Sequence, residues 1–153
     1  MVEHVHGLSA EFKHTVLDTD TASHWGSGGL PVFSTPALVG LMESTAVIAL
    51  LGHLPPGQTT VVGHIDVHHL AATPVGMQVR ARAELIAIDG RKLKFKVQAW
   101  DENELIGEAD HDRFVVDEAR FMAKVTSKPL NTSKLDSPNI NSIRIHQILH
   151  PIV

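Results

Sequence analysis

The sequence predicts an α+β domain in which one antiparallel sheet wraps around one long helix. Residues 36–51 form a nearly continuous apolar stretch of helical length, and four runs of alternating apolar and polar residues follow it. A helix that is apolar around its whole circumference is expected to be buried. Alternation indicates strands with one face in the core, and strands joined by short turns pair antiparallel. Together these observations favour one sheet packed on one helix.

A shorter set of elements precedes the helix. Residues 11–18 alternate well enough to predict a first strand, and residues 18–24 contain Asp and Thr caps that can begin a short helix. The segment Gly26-Ser27-Gly28-Gly29 then breaks any regular structure. This loop is either a connector or a lid over a pocket near Glu43, and the residues alone leave both interpretations open.

The long helix has clear sequence signals at both ends. Thr35 is predicted as its N-cap, with Pro36 at the first helical position, where the missing N–H costs nothing. Gly52 and Pro55-Pro56-Gly57 are expected to end it. The four strands that follow are predicted over residues 59–72, 77–88, 92–100 and 105–116. Asp89-Gly90, between the second and third of them, is a strong hairpin signal.

Composition narrows the classes of function. The chain has 153 residues, a net charge of −4, 43% apolar residues and no cysteine. These values favour a soluble globular domain over a nucleic-acid binder, exclude disulfides and a cysteine nucleophile, and favour a cytoplasmic protein. The first ten residues lack the pattern of a signal peptide, and the apolar helix is too short to span a membrane. We expect a domain over residues 8–126 and a disordered or loosely packed tail over residues 127–153.

A single carboxylate, Glu43, stands in the middle of the apolar helix. A buried charge without a partner costs several kcal/mol, so Glu43 is expected to have one. His69 shares a strand face with Ile65 and Val67, whereas His64 and His68 lie on the other face. Glu43 is therefore the first candidate functional residue, and His69 is the histidine on the apolar face of the following strand.

Two motifs accompany this order of elements. One is Thr35-(x)7-Glu43 within STPALVGLME, and the other is residues 68–76, HHLAATPVG. Together they resemble the hotdog-fold acyl-CoA thioesterases, in the branch that includes fluoroacetyl-CoA thioesterase, over roughly residues 12–125. The resemblance implies a curved antiparallel sheet around a central helix and a homodimer or higher oligomer whose sheets join. It also implies active sites at the dimer interface, an acyl-CoA substrate and no cofactor.

The resemblance further implies which residues form the site. The family's catalytic Thr, Glu and His fall on Thr35, Glu43 and His69, and an arginine that holds the substrate matches Arg113. A backbone amide that contacts the substrate would come from Gly63, near a Gly-Thr pair of the family that is offset by one residue here. The loop at residues 26–29 has no aromatic side chain that could act as a bulky lid, which argues against strict fluoroacetyl selectivity.

Thioester hydrolysis needs an activated nucleophile and stabilisation of the developing oxyanion. Glu43 would act either as a general base on water or as the attacking group, and His69 would orient or protonate. Thr35 would be either a nucleophile or a donor to the acyl oxygen, and the free N–H groups of the helix N-terminus suit an oxyanion. Purely structural roles stay open beside these: an N-cap for Thr35, an ion pair for Glu43 and packing for His69.

The histidine content raises the alternative of a metal site. His64, Asp66 and His68 lie at i, i+2 and i+4 on one strand face, which is an acceptable ligand spacing. A remote fourth ligand is not evident and the thioesterase interpretation uses the opposite face, so we expect no metal.

A basic stripe is predicted on the outward face of two neighbouring strands, formed by Arg80, Arg82, Lys92, Lys94 and Lys96. We expect a solvated sheet face, with a landing surface for the phosphates of coenzyme A as the alternative. Two other functions stay open at this point: a non-catalytic acyl-CoA-binding module, and a hotdog acyl-CoA hydratase or dehydratase. No nucleic-acid or membrane partner is expected.

Overall fold

The computed structural model describes residues 7–131. Its elements, in chain order, are β1 (Ser9–Thr15), a 3-10 turn (Asp18–Asp20), α1 (Ala22–Trp25), α2 (Thr35–Ala49), β2 (Gln58–His69), β3 (Gln78–Asp89), β4 (Lys92–Trp100), β5 (Leu105–Asp117) and α3 (Glu118–Thr126). This order confirms the predicted strand, long helix and four further strands. Helix α3 is an element that the alternation of apolar residues did not indicate.

The chain divides into two compact units, Met1–Phe121, which holds the sheet and α2, and Met122–Val153. The domain boundary expected at residue 126 stays a prediction. Most of the expected C-terminal tail, residues 132–153, lies outside the described residues, as do residues 1–6. Among the residues that are described, no helix is both long and apolar enough to cross a bilayer.

The five strands form one antiparallel sheet in the order β1-β3-β4-β5-β2. The hairpin between β3 and β4 closes where Asp89 pairs with Lys92, and Gly90 takes a φ of 60°, as its sequence predicts. Strands β1 and β2 are the two edges of the sheet. β2, with 12 residues, therefore presents a long row of backbone groups along its outer edge.

Helix α2 packs one side against the sheet and leaves the other side open. Its buried residues are Leu38, Leu41, Met42, Thr45, Ala46 and Ala49. On the opposite side Val47 is 41% exposed, and Leu51, just past the helix, is 67% exposed. The expectation of a helix buried all round is wrong for the single chain, because one sheet can cover only one side of a helix. An apolar helix side that faces solvent is typical of a surface that another molecule covers.

Strand β2 contains a shift in its pairing with β5, and a glycine, Gly63, lies at that shift. The shift falls between Val62 and His64. A side chain at Gly63 would overlap the ring of Phe114, which packs directly over it. Gly63 is therefore required by the close approach of an aromatic ring.

Candidate active site

Thr35 and His69 lie together, as predicted. The hydroxyl Oγ1 of Thr35 is 2.8 Å from Nδ1 of His69, although the two residues are 34 positions apart. Both line a cavity of about 360 Å³, together with Ser27, Phe33 and residues 70–72. A hydroxyl in hydrogen-bond contact with an imidazole is the arrangement in which the imidazole can accept the hydroxyl proton.

Backbone hydrogen bonds bring these two side chains together. The segment just before Thr35 is tied to the loop that follows His69, since Phe33 N–H donates to the carbonyl of Thr73 at 2.8 Å. The hydroxyl of Thr73, a buried side chain, in turn donates to Asp101 at 2.9 Å. Leu70 N–H donates to Ile106 at 2.7 Å and holds the end of β2. The HLAATPVG motif thus fixes the position of His69 relative to the start of α2.

The prediction that Thr35 is the N-cap is wrong. Ser34 is the N-cap, and its hydroxyl accepts a hydrogen bond from the N–H of Ala37. Both residues are cap formers, but Ser34 has the extended conformation that a cap requires, whereas Thr35 is already the first helical residue. The consequence is functional, because Ser34 takes over the capping and the hydroxyl of Thr35 binds His69 instead.

Capping by Ser34 also reduces the number of free N–H groups that could bind an oxyanion at the start of α2. Pro36 has no N–H, that of Ala37 is capped, and Leu38 N–H donates to the carbonyl of Ser34 at 2.9 Å. In the first turn of α2, within the described chain, only the N–H of Thr35 has no backbone or side-chain acceptor. The start of α2 therefore offers an anion fewer free N–H groups than the sequence predicted.

His69 has an unused ring nitrogen. Its Nε2 atom is buried and has no hydrogen-bond partner among the described residues. Burial lowers the pKa of His69 below its ordinary value of 6.5, and the nearby backbone of Ala71 offsets part of this. Buried polar atoms are nearly always paired in a complete site. The Nε2 atom of His69 is thus free to bind a group from outside the described chain.

Glu43 lies elsewhere in the same chain. It is half-buried on the open side of α2, eight residues after Thr35, which is about 12 Å along a helix axis. In the described part of the chain it forms no hydrogen bond or ion pair within 4 Å with His69 or any other residue. It lines a second cavity of about 360 Å³ with Ser44, Val47, Ile48, Val62 and Arg113. The single chain does not bring the expected Glu43–His69 pair together.

Arg113 faces the same cavity, and its guanidinium is held by hydrogen bonds to Thr60 and His111. It is 6% exposed. Burial lowers the pKa of its guanidinium, while the charge of Glu43 acts in the opposite direction. The arginine predicted from the resemblance therefore lines the same cavity as Glu43. Gly63 lies in the neighbouring part of β2, packed against Phe114, and its predicted amide contact to the substrate stays a prediction.

Three residues that support these groups were missed from the sequence: Ser34, Thr60 and His111. Ser34 carried a usable signal, since a Ser two residues before a Pro is as good a cap as a Thr directly before it. Nothing local distinguishes His111 from the ten other histidines, because its role depends on strand pairing.

The structure bears on three alternatives that the sequence left open: a lid, a metal site and a phosphate-binding surface. The loop at residues 26–29 contributes Ser27 to the Thr35–His69 cavity and, within the described chain, does not line the Glu43 cavity. The described residues contain no group of three or more His, Asp or Glu that could hold a metal ion. In the basic stripe, four of the five cations pair with carboxylates, which favours a solvated sheet face. The pairs are Arg80–Glu11, Arg82–Glu84, Lys92–Asp112 and Lys96–Asp110.

Comparisons with known proteins identify the family of the chain. The sequence profile of the family described as fluoroacetyl-CoA-specific thioesterase (FlK) matches residues 16–119. The fluoroacetyl-CoA thioesterase of Streptantibioticus cattleyicolor is 42% identical over 97 residues, which is 63% of this chain and 70% of that protein.

Two solved structures share the fold. A variant of FlK in complex with fluoroacetate and CoA is 34% identical, has a TM-score of 0.72, and the match covers 76% of this chain and 98% of that one. A hypothetical protein of Thermus thermophilus, described as a thioesterase superfamily member, is 26% identical with a TM-score of 0.74 over 79% of this chain and 90% of that one. The hotdog fold and the thioesterase assignment predicted from the sequence are thereby confirmed: the chain belongs to the fluoroacetyl-CoA-specific thioesterase family.

Proposed function

We propose that this protein hydrolyses a small or medium acyl-CoA at a site shared between two copies of the chain. In this site, Thr35 and His69 of one copy meet Glu43 and Arg113 of the other. Two unpartnered groups carry the proposal: the buried Nε2 of His69, and the carboxylate of Glu43, which has no hydrogen-bond or ion-pair partner in its own described chain. Glu43 lies about 12 Å beyond Thr35 along the axis of α2.

Two surfaces support a homodimer. Strand β2 is an edge strand of 12 residues, and a long unpaired edge is a template for pairing with another chain. Val47 on the open side of α2 and Val62 on β2 are apolar and each 41% exposed. A two-fold axis beside β2 would continue the sheet and cover this apolar side. The same axis would create two equal sites. The lack of cysteine fits our proposal of a cytoplasmic location.

The chemistry follows from the 2.8 Å contact. Nδ1 of neutral His69 accepts the hydroxyl proton of Thr35 as the threonine oxygen adds to the thioester carbonyl. The C–S bond breaks, the proton passes to the CoA thiolate, and water then hydrolyses the threonine ester to release the acid. The partner's Glu43 would accept a hydrogen bond from Nε2–H and keep Nδ1 free as the base.

Thiol release across a panel of acyl-CoA thioesters of varied chain length and polarity tests the function directly. We expect at least one small or medium acyl-CoA to be cleaved catalytically, with equal amounts of free acid and CoA. Hydration of an enoyl-CoA without thiol release would instead show a hydratase. Tight acyl-CoA binding by calorimetry with no thiol released over hours would show a non-catalytic binding module, and either result would contradict the proposal.

The pKa of His69 tests the shared site without using activity. Burial alone lowers this pKa below 6.5, because the buried ring disfavours its charged form. A partner carboxylate at Nε2 favours the charged form and raises the pKa again. In Glu43→Gln we therefore expect His69, followed by NMR, to titrate below 6.5 and lower than in the wild type. An unchanged pKa would place Glu43 away from His69 in the assembled protein.

A further inference from the structure

We propose that His111 and Thr60 are positioning residues that orient the guanidinium of Arg113 toward the cavity it shares with Glu43. The expected effect on turnover rests on the proposed thioesterase function, but the arrangement of the three side chains does not. Neither His111 nor Thr60 lines the cavity at Glu43, so both would act only through Arg113.

Three hydrogen bonds hold Arg113 from behind. Its Nε–H donates to the hydroxyl of Thr60 at 2.8 Å, and one N–H of Nη2 donates to the Thr60 carbonyl at 3.0 Å. One N–H of Nη1 donates to Nε2 of His111 at 3.3 Å. Thr60 lies on β2, while His111 and Arg113 lie on the paired strand β5. The guanidinium therefore has a fixed plane set by two strands.

The contacts of His111 determine its tautomer. Its Nδ1 is 3.0 Å from the backbone carbonyl of His64, which can only accept, so Nδ1 carries the proton. Nε2 then has a free lone pair directed at Nη1 of Arg113, and an arginine can only donate. A protonated His111 would place an N–H against an N–H and two positive charges side by side. The geometry thus requires a neutral histidine.

The surroundings keep His111 neutral. Its side chain is fully buried, and this burial is the main cause of a lowered pKa. The charge of Arg113 lowers the pKa further, while the His64 carbonyl and the charges of Glu43 on α2 and Asp112 on β5 act in the opposite direction. A neutral His111 accepts a hydrogen bond from the buried arginine without placing a second positive charge beside it.

The hydrogen bonds to Thr60 and His111 leave some N–H groups of Arg113 free to bind another molecule or side chain. A guanidinium has five N–H donors, and Thr60 and His111 take three of them. One N–H remains on each terminal nitrogen, and such N–H groups bind a carboxylate or a carbonyl oxygen. Arg113 lines the Glu43 cavity, so these N–H groups can hold that carboxylate or the acyl group of the substrate. Loss of the hydrogen bonds to Thr60 and His111 would let the guanidinium turn away.

A double-mutant cycle tests this role. His111→Leu is expected to lower kcat/KM about 10- to 100-fold, the range in which small misplacements of a working group fall. In an Arg113→Leu background the same change should cost less than about twofold, because its effect passes through Arg113. Thr60→Val should lower kcat/KM and Thr60→Ser should restore most of it, since serine keeps the acceptor for Nε–H. His53→Leu, at an exposed position, is the matched control. Additive losses in the cycle would overturn the proposal.

NMR provides a test that needs no turnover. Long-range proton–nitrogen spectra of the full chain should show His111 at pH 7 as the neutral tautomer with the proton on Nδ1. The Nε–H signal of Arg113 should be protected from exchange in the wild type and in Thr60→Ser, and lose its protection in Thr60→Val. The other tautomer, or a charged His111, would overturn the proposal. If no acyl-CoA is cleaved, the proposed function fails while this test still decides the role of His111 and Thr60.

Discussion

Glu43→Gln and His69→Ala are each expected to lower kcat/KM by at least ~100-fold, the size of a general acid–base contribution. Glutamine keeps the shape of Glu43 but cannot carry the charge that holds the imidazole in its productive state. Alanine at position 69 removes the base that contacts the Thr35 hydroxyl at 2.8 Å. Both losses appear in kcat, because the groups act on the reacting atoms and not on the CoA moiety.

Neither change is expected to unfold the protein. Glu43 is half-buried and makes no hydrogen bond within the described residues, so its amide isostere leaves no new unsatisfied partner. His69 packs at the end of β2, where the backbone of Leu70 is held by Ile106 whatever the side chain at 69. Circular dichroism and thermal unfolding of both variants should therefore follow the wild type closely.

Matched controls exist in the same chain. Glu104→Gln changes an exposed carboxylate in the turn between β4 and β5, and His68→Ala changes the exposed histidine next to His69 on the opposite face of β2. Both should retain wild-type kcat/KM. Wild-type turnover in Glu43→Gln and His69→Ala on the best substrate would refute the assignment of these two residues to the site.

The local parts of the fold could be predicted from sequence because their signals are local. β4 (Lys92–Trp100) matches its predicted bounds, since alternation and the Asp89-Gly90 turn mark it on both sides. β2 ends at His69, three residues before its predicted end. Beyond it, Leu70 and Ala71 both donate to the one carbonyl of Ile106 on β5, and Pro74 forms an isolated bridge with Val32, so the regular ladder stops at His69. A period-two pattern does not distinguish such a segment from a strand.

The start of α2 shows the limit of a propensity argument. Ser34 and Thr35 are both good caps, and the preference for Pro at the first helical position favoured Thr35. A tertiary hydrogen bond places the cap at Ser34 instead. Ser34 N–H donates to the carbonyl of Asp20, which holds Ser34 extended and moves the cap one residue back. The Thr35 hydroxyl is thereby left to His69.

The grouping of the site residues could not be derived from spacing in one chain. Eight residues of helix separate Thr35 from Glu43 by about 12 Å along the axis, and this spacing alone does not say which of them contacts a given histidine. The resemblance to the family supplied the expectation of an interface site. In the single chain these residues line two separate cavities, one at Thr35 and His69 and one at Glu43 and Arg113.

The measurement that tests the shared site most directly is complementation between two inactive variants. Glu43→Gln and His69→Ala are co-expressed with different tags, and the mixed dimer is purified through both tags. In that dimer one site combines an intact Thr35–His69 pair with the partner copy's intact Glu43, whereas the other site carries both defects. We expect the mixed dimer to show about half of the wild-type kcat/KM, since one of two equal sites is whole. Each homodimer, purified in the same way, should stay at least ~100-fold below the wild type. A verified mixed dimer that is as inactive as the two homodimers would contradict a site built from two copies.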